Sequence, residues 1–216
     1  MYIVMLGGPG SGKGTTSETL SQKFNIEHIA TGDMLREEIH QKSKIGMQVE
    51  HLLADGKLVP DEIVTQLIKA HLKNDVNGAV FDGYPRTLKQ AKILTKILDE
   101  LNVKLDVAIE LDVPDEIIIQ RIINRELCSN KKCGAIYNKK FKPSKQEGIC
   151  DRCGSKLLTR VDDNRETVQK RLDIYHKESA EIIKYYKENK LLHTIYPDEN
   201  TTPEEVLGEI VGSLKW

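Results

Sequence analysis

The segment Gly7-Gly8-Pro9-Gly10-Ser11-Gly12-Lys13 constrains the fold more than any other stretch of the chain. It fits the G-x-x-x-x-G-K pattern and lies between the apolar, β-branched run Tyr2 to Leu6 and the helically spaced run Thr15 to Phe24. A strand, a glycine-rich turn and a helix in that order make a cradle for a polyphosphate. The glycines let successive backbone N–H groups approach an anion, the helix N-terminus adds positive potential, and Lys13 reaches the β- and γ-phosphates. One position departs from the usual pattern. Gly14 follows Lys13, so the hydroxyl that would meet a magnesium ion arrives only at Thr15. Asp82, closing the apolar run Ala79-Val80-Phe81, is the natural acidic contact to that ion or its waters.

The same alternation recurs along the chain. Ala79 to Phe81 and Val107 to Leu111 read as buried strands, each followed by a turn and a helical pattern, and Leu191 to Tyr196 reads as a last strand. Thr87-Leu88-Lys89-Gln90 and Thr202-Pro203-Glu204-Glu205 both have the form of a capping box at a helix start. Pro114 to Leu127 is expected as one helix, with Arg121 and Arg125 four apart on a single face. The fold class is therefore α/β, a parallel sheet flanked by helices. Two segments interrupt it: Ala30 to Val59, mostly helical and closed by Gly56, and about Glu126 to Asp163, rich in Gly, Lys and Cys. Both read as insertions over the binding edge of the sheet.

Composition excludes some classes. The 216 residues are 39% hydrophobic and 30% charged with a formal net charge of −1, which suits a globular protein and argues against a globally basic nucleic-acid binder. Apolar runs fall short of the roughly 20 residues a membrane span needs. The N-terminus carries no export pattern, so a cytoplasmic location is expected and the four cysteines point to thiolates or a metal before disulfides. Cys150 and Cys153 form a C-x-x-C knuckle, Cys133 precedes it by 16 intervening residues, and Cys128 precedes Cys133 by four. That spacing favours a closed, structural zinc site of Cys128, Cys133, Cys150 and Cys153, with an unusually long first knuckle.

Taken together, Gly7 to Thr15, Thr31-Gly32-Asp33-Met34-Leu35-Arg36, Asp82-Gly83-Tyr84-Pro85-Arg86, Arg121 to Arg125, the four cysteines, Thr159-Arg160-Val161-Asp162-Asp163 and Arg171 resemble an adenylate kinase over nearly the whole chain. The cysteines resemble those of the bacterial long form with a zinc-binding lid. The resemblance implies a P-loop kinase with a core domain (1–29, 60–125 and 164–216), an AMP-binding insertion (30–59) and a lid (126–163). It also implies reversible transfer from Mg-ATP to AMP, giving two ADP, by a monomer without membrane or nucleic-acid partners. Magnesium would accompany ATP and zinc would hold the lid.

Residue roles follow from the same resemblance. Gly10, Ser11, Gly12, Lys13, Gly14, Thr15, Arg121, Arg125, Ile136 and Tyr137 are the expected ATP contacts. Thr31, Arg36, Lys57, Leu58, Val59, Gly83, Arg86, Gln90, Arg160 and Arg171 are the expected AMP contacts. Lys13, Asp82, Arg86, Arg125, Arg160 and Arg171 are expected to serve the transferring phosphoryl group. Guanidinium forks suit that role because they bind phosphate oxygens bidentately and stay charged. Two rival readings remain at this point. One is a kinase for another monophosphate, UMP or CMP. The other is a P-loop switch whose zinc ribbon, bearing Lys131, Lys132, Lys139, Lys140, Lys142 and Lys145, binds nucleic acid.

Overall fold

A computed structural model describes residues 1–72, 77–130 and 132–214. Lys131, one of the lysines of the second rival reading, lies outside them. In chain order the elements are β1 (Tyr2–Gly7), α1 (Lys13–Phe24), β2 (Glu27–Ala30), α2 (Thr31–His40), α3 (Lys44–Ala54), α4 (Asp61–Leu72), β3 (Ala79–Asp82) and α5 (Leu88–Glu100). There follow β4 (Val107–Leu111), α6 (Asp115–Ile123), β5 (Arg125–Cys128), β6 (Ile136–Asn138), β7 (Leu157–Leu158), α7 (Arg165–Glu188), β8 (Leu192–Ile195) and α8 (Pro203–Ser213).

Five strands form a parallel sheet in the order β2-β3-β1-β4-β8. β1 lies at its centre and is buried on both faces, which is why its sequence is a continuous apolar run and not an alternating one. Side chains still alternate with period two: Tyr2, Val4 and Leu6 enter the core shared with α2 to α5, whereas Ile3 and Met5 enter the one shared with α1, α6 and α8. The long helix α7 closes both, giving Val168 and Leu172 to the second core and Ile182 and Tyr186 to the first. Gly7, Asp82 and Leu111 end β1, β3 and β4 at the same edge, the edge where ligands of such sheets bind.

A second, antiparallel sheet, β6-β5-β7, carries the cysteines. Its core is Ala135, Tyr137, Cys150 and Leu157, with Cys128 and Cys133 partly buried beside it. So small an apolar cluster is a poor foundation for a self-supporting unit.

Two expectations need correction, and one strand was not anticipated. The helix from Pro114 stops at Ile123: Asn124 turns its side chain back onto Gln120 O at 2.9 Å, and the carbonyls of Arg121 and Asn124 accept from Asn138 Nδ2 and Lys139 N of the second sheet. Arg125 therefore opens β5 and shares no helical face with Arg121. β2, Glu27-His28-Ile29-Ala30, went unforeseen because it is an edge strand with a single fully buried side chain, Ile29. Thr87 does cap α5, accepting from Gln90 N, but the Gln90 carboxamide accepts from Arg86 N instead of closing a box on Thr87. The box at Thr202 and Glu205 is complete.

Candidate active site

The phosphate loop joins β1 to α1, and its shape depends on glycine at Gly10 and Gly12. Their φ values are +75° and +106°, and a Cβ at Gly10 would lie 2.5 Å from Ile122 Cγ1. Lys13 folds back over the loop, its Nζ donating to Gly7 O and Gly8 O at 2.7 Å each. Loss of solvent around the ammonium lowers its pKa to about 8; Asp82 works against that shift, and Arg86, Arg171 and Arg125 reinforce it. A Cβ on Gly14 would come within 3.3 Å of Asp82 Oδ2, so the carboxylate faces the start of α1 across a gap where a larger residue would intrude.

His28 stands near the same oxygen of Asp82, its Nε2 3.7 Å from Oδ2. Burial works against its carboxylate, but His28, Lys13 and Arg86 outweigh burial and keep its pKa below the ordinary range.

A cleft beside this loop gathers the residues expected to hold the second substrate. Thr31, Arg36, Lys57, Leu58, Val59, Gly83, Arg86, Gln90 and Arg171 all line it. Thr31 opens α2 and donates to Gly83 O at 2.9 Å; Arg86 Nε donates to the same carbonyl at 2.8 Å. Gln90 is buried, and its Nε2 donates to Asp61 Oδ1 at 2.7 Å, which fixes the rotamer of a side chain facing the cleft. Asp61 was not foreseen from sequence. As the first residue of α4 after Pro60, it reads as a helix-start acid, and its partner is 29 residues away.

The arginines converge between loop and cleft, with one exception. Arg125 makes a fork on Asp163, Nε to Oδ2 at 2.9 Å and Nη2 to Oδ1 at 2.5 Å. Arg171 Nη1 meets Asp162 Oδ2 at 3.1 Å, and Arg160 Nη2 meets Asp33 Oδ1 at 3.3 Å. Asp33, which also takes Arg36 Nη2 at 2.6 Å, is a further site residue that the sequence alone did not single out. Desolvation, then neighbouring arginines, bring the pKa of Arg160 and Arg171 down to about 10. Arg160 and Arg171 stay charged at neutral pH, and the repulsion among the neighbouring arginines is one that an anion would relieve. Arg121 stands apart in this structure, its Nη2 on Asp198 O at 3.1 Å.

In the second sheet, Ile136 is exposed but Tyr137 points into the small core, where its hydroxyl meets Asp151 N and Cys150 Sγ. Its ring is thus engaged within the lid. The four cysteine sulfurs lie within 4.8 Å of one another, Cys128 to Cys153 at 3.4 Å and Cys133 to Cys150 at 3.7 Å. A disulfide would require about 2.05 Å. Tetrahedral zinc with Zn–S of about 2.3 Å sets sulfurs about 3.8 Å apart. The long first knuckle still delivers Cys128, because Asn130 gathers the turn: its carbonyl accepts from Cys133 N and Gly134 N, and its Oδ1 from Lys132 N.

A polyphosphate cradle and a second, cation-lined cleft, opening on one edge of a parallel sheet with arginines between them, define a P-loop phosphotransferase for two phosphate-bearing substrates. Within that class the chain belongs to the adenylate kinase family, whose model, described as Adenylate kinase, matches residues 5–191. It is 44% identical over 211 residues to the adenylate kinase of Caldicellulosiruptor bescii, covering 96% of this chain and 97% of that one. To the adenylate kinase of Clostridium tetani it is 41% identical over 217 residues, covering 99% and 100%. To that of Ruminiclostridium cellulolyticum it is 46% identical over 189 residues, 87% of each. Among the described residues, no helix is long and apolar enough to cross a membrane.

Proposed function

We propose that the protein transfers the terminal phosphoryl group of Mg-ATP reversibly to AMP, giving two ADP, and so balances the adenine nucleotides of the cytoplasm as a monomer. The observation that carries this reading is the electrostatic neighbourhood of Lys13, which takes in Arg86, Arg125, Arg171 and the carboxylate of Asp82 in a single cluster. A switch that only binds and hydrolyses a triphosphate has no use for the adjoining cleft of Thr31, Arg36, Arg86 and Gln90. That cleft weighs against the nucleic-acid reading of the lid lysines.

Phosphoryl transfer asks little covalent chemistry of the protein. It needs donor and acceptor in line, compensation of charge on the moving group, and exclusion of water. Gly10 to Thr15 and Lys13 would hold the β- and γ-phosphates of ATP, with Arg121 and Ile136 toward its base. Thr31, Arg36, the backbone of Lys57 to Val59, Gly83, Arg86 and Gln90 would hold AMP. Arg125, Arg160 and Arg171 would bridge the two, oriented by Asp163, Asp33 and Asp162. Magnesium, when bound, neutralises charge on the phosphate oxygens, and Asp82 is the oxygen donor that fits it. In this reading residues 1–29, 60–125 and 164–216 are the core, 30–59 the AMP-binding insertion and 126–163, preceded by Arg125 in β5, the lid that excludes water.

Zinc at Cys128, Cys133, Cys150 and Cys153 would be structural, since four thiolates leave no position for a reacting water. The sulfur separations fit it.

The test is a coupled assay of ADP formed from ATP with AMP, CMP or UMP, with and without Mg²⁺. AMP is expected to be the preferred acceptor and Mg²⁺ to be required. Faster turnover of CMP or UMP than of AMP would overturn the adenylate assignment.

A further inference from the structure

Tyr137 is 6% exposed and lies on β6, next to the knuckle that carries Cys150 and Cys153. Its hydroxyl oxygen accepts from Asp151 N at 2.8 Å and stands 3.6 Å from Cys150 Sγ. An amide N–H can only donate, and a metal-bound thiolate has no proton to give. Once Cys150 is a ligand, the hydroxyl's one hydrogen must point at its sulfur. We infer that Tyr137 is a positioning residue for the lid metal: its O–H donates to Cys150 Sγ and fixes the charge and direction of that ligand. This inference rests on the zinc reading above.

The choice of cysteine has a physical reason. Four thiolates on a divalent cation carry a net charge of about −2, which must be met by nearby donors or water. Cys150 is 1% exposed, the most buried of the four, so solvent serves it least. Tyr137 supplies a donor from outside the knuckle, 3.6 Å from that sulfur.

That donor is firmly anchored. The next residue, Asn138, gives its Nδ2 to Arg121 O at 2.9 Å, and Lys139 N bonds Asn124 O at 2.8 Å, so β6 is fastened to the end of α6. Tyr137 thereby ties the second metal knuckle to the strand that anchors the lid to the core.

Tyr137→Phe keeps the ring and its packing and deletes only the O–H. Zinc affinity, measured on the full-length protein by competition with a chelating dye, is expected to fall about 10- to 100-fold. In the Co²⁺-loaded protein the sulfur-to-metal charge-transfer band is expected to shift, and replacing Tyr137 with a ring-fluorinated tyrosine, a stronger donor of the same shape, should shift it the opposite way. Wild-type affinity in Tyr137→Phe together with an unchanged cobalt spectrum would overturn the inference while leaving the zinc site standing. Weaker affinity with no spectral shift in either variant would also overturn it, since packing alone would then explain the loss. If the wild-type protein takes up neither zinc nor cobalt, the zinc reading itself fails and the inference falls with it. Should Tyr137→Phe fail to fold, the fluorinated variant decides alone.

Discussion

Asp163→Asn separates holding an arginine from merely neutralising it. Both oxygens of Asp163 are occupied by the Arg125 fork, at 2.9 and 2.5 Å, and the aspartate side chain is only 1% exposed. A carboxamide has the same shape but one acceptor. Whichever guanidinium N–H it keeps, its NH₂ meets the other, donor against donor. Losing one charge-assisted bond costs about 1.5–3 kcal/mol, and breaking a buried pair from one side about 3–5. Arg125 is itself 18% exposed and can turn partly toward water, which places the expected loss near the lower end, about 3 kcal/mol of stability. If Arg125 meets charge that develops only as the phosphoryl group moves, kcat and kcat/KM should fall together by about 10²-fold, equivalent to about 2.7 kcal/mol. Steady-state assays in both substrates and urea unfolding of the same preparation measure the two effects. The companion change Asp162→Asn, at a single bond between side chains 21% and 19% exposed, should cost distinctly less. Turnover within about twofold of wild type in a folded Asp163→Asn protein would refute the claim that the fork sets the position of Arg125.

Two further outcomes follow from local geometry. Because Lys13 titrates at about 8, well below an ordinary lysine, its charge disfavours the fold below that pH and the penalty fades as pH rises. A bound polyphosphate should restore the proton, so triphosphate binding near pH 8 is expected to take up about half a proton. Calorimetry in buffers of different ionisation enthalpy reads this, and zero uptake there would contradict it. Gly46→Ala places a Cβ 2.2 Å from the backbone oxygen of Glu38, where α3 crosses α2 and neither backbone can yield. A loss of about 2–3 kcal/mol in urea unfolding is expected, with KM for AMP raised more than KM for ATP because α2 carries Thr31 and Arg36. An unchanged unfolding midpoint would contradict the packing.

What could be read from the sequence was what depends on neighbours along the chain. β1, β3 up to Phe81 and β4 apart from Glu110 show as apolar runs because burial on both faces leaves little polar alternation, and Thr202 shows as a cap because its partner is three residues on. The end of α6 was hidden because much of what holds it is remote: besides the local turn of Asn124 onto Gln120 O, Asn138 and Lys139 occupy the carbonyls of Arg121 and Asn124. The spacing of Arg121 and Arg125 therefore carried no information about a shared face. Tyr137 was hidden for the same reason, since only the fold of the second sheet decides that its hydroxyl turns toward Cys150 and not outward.

Asp33 shows how such remote pairings bear on the chemistry. Its Oδ1 accepts from Arg36 at 2.6 Å and from Arg160 at 3.3 Å, residues 124 positions apart in the chain, and so ties the helix α2 to the stretch that follows β7. Yet Asp33 is 62% exposed, and an exposed ion pair contributes about 0–1 kcal/mol. A phosphate offers more charge and more acceptor oxygens to the same two guanidinium groups. A tie of that size is weak enough for a phosphate to displace. The pairs of Arg171 with Asp162 and of Arg125 with Asp163 are progressively more buried. That gradient in burial separates the carboxylates: Asp163 fixes the direction of Arg125, and Asp33 is the one whose arginines a phosphate would most easily take over.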